Sequence, residues 1–575
     1  MPCEGGSHQI PYPHMSTKAH RSTSPHAPQT AGRVLVESLR LHGVDRVYCV
    51  PGESYLEVLD ALYDAADYIE LIVAKHEGGA ANMAEADGKM TGRPGICMVT
   101  RGPGATHASI GIHTAQQDST PLIVFVGQIA RDQMGREAFQ EVDYCAMFGK
   151  LAKWVVEVTD ASRMAEIVAR AFHTATSGRP GPVVVSLPED MLTQTTHQLA
   201  FASTPLEPRA PTPAAMQRIA ALLASAQRPL VVVGGSGWTQ EASSDLARFA
   251  AAWSLPVACA FRRQDVLDNR HPQYVGHMSL GMNAALKELI QDADVILALG
   301  TRLGDVSTDS YTLLEVPVPR QKLIHVHVDS AEIGRVYRPT IGLNADTAPT
   351  LEALAGLAPP QSVGWSDWAG NARKAHERFS QLPERPAEVR GVDLGRAIQH
   401  ASAQLPDDTL VTNGAGNYSV WLHRFYTYRN VRTELATTCG AMGYGVPAAV
   451  AAALRHRDRE VLCVAGDGCF LMYPQELATA AEHGLRLIVL VVNNGMYGTI
   501  RMHQEKHYPG RVSGTRLAGP DYVGLARALG AAHAEQVLDT DQFPAAFARA
   551  RAAGGFALLE LVTDPKQITP TMRLD

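Results

Sequence analysis

Two turns in the last third of the chain carry residue types that could hold a metal ion. Gly466-Asp467-Gly468 closes the apolar run VLCVAG, and Asn493-Asn494-Gly495 closes LIVLVV one strand–helix–strand unit further on. In a parallel sheet such a unit returns both strand ends to one edge, the edge where ligands of open α/β sheets bind. A carboxylate beside an amide oxygen suits Mg²⁺, a hard cation that takes few protein ligands and fills its octahedron with phosphate and water oxygens. The flanking glycines let a diphosphate approach the backbone. Asp-Gly and Asn-Gly are also common turn dipeptides, so either pair alone reads as a turn. Their joint occurrence on adjacent strand ends favours a metal site.

A second candidate lies far upstream. ELIVAKHEGGAANMAEADG reads as a strand that ends near His76-Glu77 and enters a helix of small residues. Read alone, a carboxylate there caps the helix N-terminus. His76, His107, His113 and His503 are proton carriers by residue type, although a structural role is the ordinary one for each.

The elements that must position these residues form an α/β pattern. Short apolar runs such as GICMVT, PLIVFVG and GPVVVSLP alternate with amphipathic stretches from residue 31 onward, as strands buried on both faces do. Proline-rich FASTPLEPRAPTP (201–213) and the stretch around LAPPQSVGW read as linkers. The expectation is three doubly wound parallel-sheet domains, at 31–200, 214–356 and 390–575, the first and third alike in layout. Residues 1–30, rich in His, Pro and Ser, read as a disordered leader.

Composition narrows the function classes. At 575 residues, with 46% hydrophobic and 19% charged residues, the chain is an ordinary globular protein of several cores. A net charge of -7 and a pI near 6.3 give no electrostatic reason for nucleic acid or anionic membrane as a partner. No apolar run is long enough for a membrane helix. Eight scattered cysteines without a C-x-x-C pair read as reduced residues, which fits a cytoplasmic location.

The stretch GDGCFLMYPQELATAAEHGLRLIVLVVNN resembles the cofactor motif of the thiamine diphosphate (ThDP) dependent decarboxylase and carboligase superfamily, most closely that of acetohydroxyacid (acetolactate) synthases. The similarity covers nearly the whole chain from about residue 31. It implies that Asp467, Asn494 and the Met496 carbonyl bind Mg²⁺, that Gly466 and Gly468 border the cofactor, and that Glu77 hydrogen-bonds N1′ of the aminopyrimidine. TTCGAMGYGVP resembles the segment in which Met442 would wedge between the cofactor rings and Gly440 would offer its carbonyl to the 4′-amino group. NGAGNYS resembles a loop contacting the diphosphate through Gly416, Asn417 and Tyr418. The resemblance also implies an active site between subunits, hence a homo-oligomer.

For the substrate the resemblance points to TRGPGATHA, Gln128, Phe139 and Gln140 in REAFQE, Lys153, and Arg302 in ALGTRLGD as a grip for a carboxylate. GGSG (234–237), Asp329 and Asp346 resemble dinucleotide-contacting positions, which keeps FAD open. Phe261-Arg262-Arg263-Gln264-Asp265 and SLGMNAA depart from the flavin-contacting pattern, and His503 stands where the synthases carry a tryptophan. No adjacent His-His pair of the simple decarboxylase kind occurs. The expected function is therefore a carboligase that decarboxylates a small 2-oxo acid and transfers the acyl carbanion equivalent to a second carbonyl compound held near Arg302 and Arg262/Arg263. The alternatives are a non-oxidative 2-oxo acid decarboxylase, a flavin-dependent oxidase and a non-catalytic paralogue.

Overall fold

A computed structural model describes residues 27–385 and 387–574. Most of the expected leader therefore lies outside the described residues. Its last four residues are described, and of these Gln29–Thr30 pair antiparallel with Thr195–Thr196 and tie the start of the first domain to its end.

Three six-stranded sheets follow, each wholly parallel and flanked by helices. The first holds β1 (Arg46–Cys49), β2 (Glu70–Val73), β3 (Gly95–Val99), β4 (Leu122–Gln128), β5 (Trp154–Glu157) and β6 (Pro182–Pro188), in the order β2-β1-β3-β4-β6-β5. The central sheet holds β7 (Pro229–Val233), β8 (Val257–Ala260), β9 (Tyr274–Met278), β10 (Val295–Leu299), β11 (Lys322–His327) and β12 (Ile341–Asn344), in the order β9-β8-β7-β10-β11-β12. The third holds β13 (Leu410–Asn413), β14 (Glu434–Ala436), β15 (Val461–Gly466), β16 (Ile488–Asn493), β17 (His533–Val537) and β18 (Ala557–Val562). Its order, β14-β13-β15-β16-β18-β17, repeats that of the first sheet, whereas the central sheet has the doubly wound order of dinucleotide-binding folds. Val, Ile and Leu fill the inner strands because helices cover both faces, which leaves no polar side.

The first and third domains share one core. Helix α1 (Glu77–Thr91) and helix α3 (Gly445–Arg455) are built of Ala and Gly and are buried almost all round, so their backbones pack closely against each other. Helix α2 (Pro103–Asp118) lies along α1 on the other side. Arg455 fastens the pair: its Nε and Nη2 each donate at 2.7 Å to the Asp87 carboxylate, and its fork also reaches Asp45.

Glu476 sits in the same seam with its side chain excluded from solvent. Its carboxylate accepts the Lys75 N–H at 3.1 Å and the Thr479 hydroxyl at 3.1 Å. A Cβ on Gly79 would stand 2.2 Å from Oε1, so glycine there is what lets the carboxylate in. Burial pushes the Glu476 carboxyl up to about 7, with the Lys75 N–H and Thr479 opposing it. A raised carboxyl contributes stability that is complete below the unfolded pKa, near 4.5, and is lost as pH rises to about 7. Glu476→Gln should remove this dependence. Relative to the variant, the native chain should lose on the order of 3 kcal/mol of unfolding free energy between about pH 5 and pH 8. Denaturant melts at the two pH values check it, and parallel curves would refute it.

Candidate active site

The strand order dictates where a ligand can sit. In β14-β13-β15-β16 the chain leaves β13 in one direction and β15 in the other, and the loops diverge to open a crevice above the strand ends. A cavity of about 450 Å³ occupies this position, a volume ordinary for a small-molecule site. Gly416, Asn417 and Tyr418 reach it after β13, Gly440 and Met442 after β14, and Gly466, Asp467 and Gly468 at the end of β15. Asn494 and Met496 follow β16. The third-domain residues expected to hold a cofactor thus line one cavity.

Asp467 is buried, and both its oxygens are held by backbone donors: Oδ1 accepts the Gly468 N–H and Oδ2 the Gly495 N–H, each at 2.8 Å. The second bond ties the end of β15 to the turn after β16. Asn494 Oδ1 accepts the Met496 N–H at 3.1 Å, which fixes the amide beside the carboxylate. The preceding asparagine has another duty, since Asn493 Nδ2 donates at 2.7 Å to Glu560 on the neighbouring strand. Burial pushes the Asp467 carboxyl above the ordinary aspartate range, and the surrounding N–H groups offset this only in part. A buried carboxylate short of compensating charge, next to an amide oxygen and the Met496 carbonyl, is an oxygen donor set suited to a hard divalent cation.

The wall after β13 needs its glycine. Gly416 has φ +144°, and a Cβ there would stand 2.9 Å from the Tyr418 ring. That ring also lies against Gly466, and its hydroxyl accepts the Gly414 N–H at 3.0 Å, so Tyr418 braces both loops from within. Thr499 secures Asn417, its hydroxyl donating to Asn417 Oδ1 at 2.9 Å. Met442 is half buried at the cavity wall.

Sequence reasoning missed the opposite wall. Segments 382–385, 389–394 and 563–573 close the cavity, with Arg385 donating to the carbonyls of Val389 and Gly391 and Arg573 paired with Asp564 at 3.0 Å. Nothing in the proline- and glutamate-rich LPERPAE stretch signals a pocket lining.

Glu77 lies elsewhere in the chain. No residue of the first domain lines the third-domain cavity. Glu77 opens α1, and the cap is supplied by its neighbour: His76 Nδ1 accepts the Gly78 N–H at 2.9 Å. The Glu77 carboxylate is therefore free of capping. Oε2 meets His107 Nδ1 on α2 at 2.9 Å, and Gly104 keeps the space beside Oε1. Gln140 packs on Gly102 at the same end of α2, next to strongly exposed Phe139.

Lys153 and Arg302 do not join this group within one chain. Lys153 precedes β5, at the edge where the first-sheet strands begin, and its ammonium donates to the Thr174 and Ser177 carbonyls. Burial lowers its pKa to about 8. Arg302 donates to the Gln117 carbonyl at 3.0 Å, at the far end of α2 from His107. Arg262 corrects the expectation of a substrate-binding arginine pair: it is buried, donates to the carbonyls of Thr437 and Gly414, and bolts the central domain to the cavity loops. Arg263 reaches the Asp118 carbonyl at 3.3 Å. His113 stays half buried on α2 and His503 is exposed on helix Gly498–His507, both outside the Glu77 cluster.

The positions that resemble dinucleotide contacts make local hydrogen bonds within the chain. Asp346 accepts the Arg209 N–H at 2.8 Å and Asp329 the Ala331 N–H at 2.9 Å. A Cβ on Gly235 would lie 1.9 Å from the Gly300 carbonyl oxygen, so the two turns pack closely there, whereas a Cβ on Gly237 or Gly304 would meet nothing within 4 Å.

These features define a class, a three-domain enzyme with a diphosphate-type crevice in the third domain. The chain belongs to the thiamine pyrophosphate enzyme family: the N-terminal TPP-binding domain matches residues 29–147, the central domain 216–354 and the C-terminal TPP-binding domain 414–561. It is a thiamine diphosphate-dependent enzyme. Within the family it is similar to the acetolactate synthase large subunit of Parasynechococcus marenigrum, 32% identical over 88% of this chain and 83% of the relative. The acetolactate synthase isozyme 2 large subunit of Escherichia coli is 31% identical over 92% of this chain and 95% of its own length. A probable acetolactate synthase large subunit of Methanocaldococcus jannaschii is 29% identical over 93% of this chain.

Replacing Asp467 by Ala should weaken Mg²⁺-dependent thiamine diphosphate binding by about 2 kcal/mol or more, roughly thirtyfold in Kd. Quenching of intrinsic tryptophan fluorescence by the cofactor measures it, and an unchanged Kd would remove Asp467 from the site.

Proposed function

We propose that the chain is a carboligase of acetolactate synthase type, which decarboxylates a small 2-oxo acid and joins the remaining acyl unit to a second carbonyl compound. The observation that carries this reading is similarity to acetolactate synthase large subunits along about nine-tenths of the chain, combined with one cavity that gathers the expected cofactor residues. Bound thiamine diphosphate supplies a nucleophilic carbon and an electron sink for loss of CO₂. Asp467, Asn494 and the Met496 carbonyl hold Mg²⁺ in this reading, Gly416, Asn417 and the backbone at Gly466 and Gly468 border the diphosphate, and Gly440 and Met442 set the cofactor's conformation. Glu77 exchanges a proton with N1′. Because Glu77 lines no part of the third-domain cavity, the reading also requires the Glu77 of one copy to meet the cavity of another, hence a homo-oligomer.

Substrate placement follows with less of the chain to support it. Phe139 and Gln140 stand at the Glu77 end of α2, while Arg302 and Lys153 stand at the other, so the second group would serve a substrate only through the assembly. No step runs through flavin. No described helix is long and apolar enough to cross a membrane, and the seven described cysteines are unpaired, in keeping with a cytoplasmic location.

A non-oxidative decarboxylase is the second reading, and one observation favours it. The absence of adjacent histidines in sequence argued for carboligation, yet His76 and His107 stack with ring centroids 4.6 Å apart beside Glu77. Two test results bear on the choice. With thiamine diphosphate, Mg²⁺ and paired 2-oxo acids, mass spectrometry should show hydroxy-oxo acid or acyloin products; aldehyde alone would establish the decarboxylase instead. Glu77→Gln should keep cofactor binding while turnover falls at least about a hundredfold. Unchanged turnover would defeat the role of Glu77.

A further inference from the structure

The histidine pair beside Glu77 is not equivalent in its two members. His76 has its Nδ1 occupied as acceptor of the Gly78 N–H, its ring edge against Tyr473, and its pKa lowered by burial and by His107. A ring fixed as an acceptor at Nδ1 and held neutral cannot pass a proton through to a neighbour. His107 has the opposite arrangement. Its Nδ1 faces Glu77 Oε2 at 2.9 Å, its side chain is 51% exposed against 15% for Glu77, and its Nε2 makes no hydrogen bond among the described residues. An ionised carboxylate only accepts, so opposite ionised Glu77 the proton sits on Nδ1 and Nε2 is left toward solvent.

The other titratable groups that sense Glu77 are Tyr55 and Cys97, and Tyr473 borders His76 from the third domain. Burial pushes all three up, so each stays protonated near neutral pH and none offers an exit for a proton. Among the described residues of one chain, His107 is the titratable side chain that hydrogen-bonds the carboxylate and keeps a ring nitrogen unpartnered on its exposed side.

We propose that His107 is a positioning residue that relays protons between solvent and the Glu77 carboxylate. The inference rests on the reading that Glu77 exchanges a proton with the cofactor. In the charging direction Nε2 takes a proton from water and Nδ1 releases its own to Glu77 Oε2, leaving the imidazole neutral as its other tautomer; one proton moves and no electrons are transferred. The reverse passage returns it. His76, stacked on the ring, keeps the imidazole plane in register with the carboxylate.

The test uses holoenzyme loaded with Mg²⁺ and thiamine diphosphate, without substrate, and follows deuterium exchange at C2 of the bound cofactor by acid quench and NMR. His107→Ala should slow exchange about tenfold or more. Cofactor Kd from fluorescence should hold, because the ring is half exposed on a helix and alanine keeps that helix. Added imidazole should restore exchange, and an inert salt at equal ionic strength should not. Exchange as fast as in the native enzyme, with Glu77→Gln slow, would overturn the relay. So would a slow His107→Ala whose cofactor Kd has risen and which imidazole fails to rescue, the pattern of a structural residue. If Glu77→Gln itself exchanges at the native rate, the reading of Glu77 fails and the relay fails with it.

Discussion

The third domain is organised around one buried charge. Asp467 sits where β15 ends, almost without solvent, and its two oxygens are held by N–H groups of Gly468 and of Gly495, across the gap between β15 and β16. A carboxylate is costly to bury without a counter-charge, and two neutral donors offset only part of that cost. The bonds nevertheless fix the geometry of both strand ends, and with them the turn that presents Asn494 and Met496. The result is an oxygen-rich strand edge open to the cavity, of the kind that suits a hard divalent cation.

The remaining architecture holds this edge in place. Small residues on α1 and α3 let the first and third domains share a core, so the loops over the cavity rest on a rigid base. The central domain contributes by clamping: Arg262 spends its guanidinium on the carbonyls of Gly414 and Thr437, in the two loops that begin the cavity wall, and Asp265 accepts the N–H groups of Thr433 and Glu434. Charged residues in the central domain are thus structural where they touch the site. A buried arginine that satisfies carbonyls without a carboxylate partner is hard to replace, since removing it strands those acceptors.

Which parts of this were legible in sequence follows from range. Strand runs such as LIVLVV and the turns at Asp467 and Asn494 are local signals, and they gave the three sheets and the metal-type pair. Choosing Asn494 over Asn493 rested on family likeness, and the structure supplies the physical reason in the Asn493–Glu560 bond. Contacts between distant segments left no local trace. The wall from 382–385, 389–394 and 563–573, the inward turn of Arg262, and the meeting of His76 with His107 all depend on how segments distant in sequence pack. A charge in a loop reads the same whether it meets substrate or a helix end, and within one chain Lys153 and Arg302 lie on carbonyls at the opposite edge of the first sheet from Glu77.

That separation bears on the chemistry proposed. A carboligase must keep protons from the reacting carbon until the second carbonyl arrives, whereas a simple decarboxylase delivers one promptly. By proximity alone, two histidines beside the Glu77 carboxylate favour prompt delivery. Their hydrogen bonds point the other way: His76 is closed as an acceptor to Gly78, and His107 turns its Nδ1 to Glu77. The hydrogen bond of His107 is made to the carboxylate and that of His76 to a backbone N–H. A histidine pair assigned to Glu77 is compatible with carboligation, and the geometry removes the conflict that mere proximity suggests.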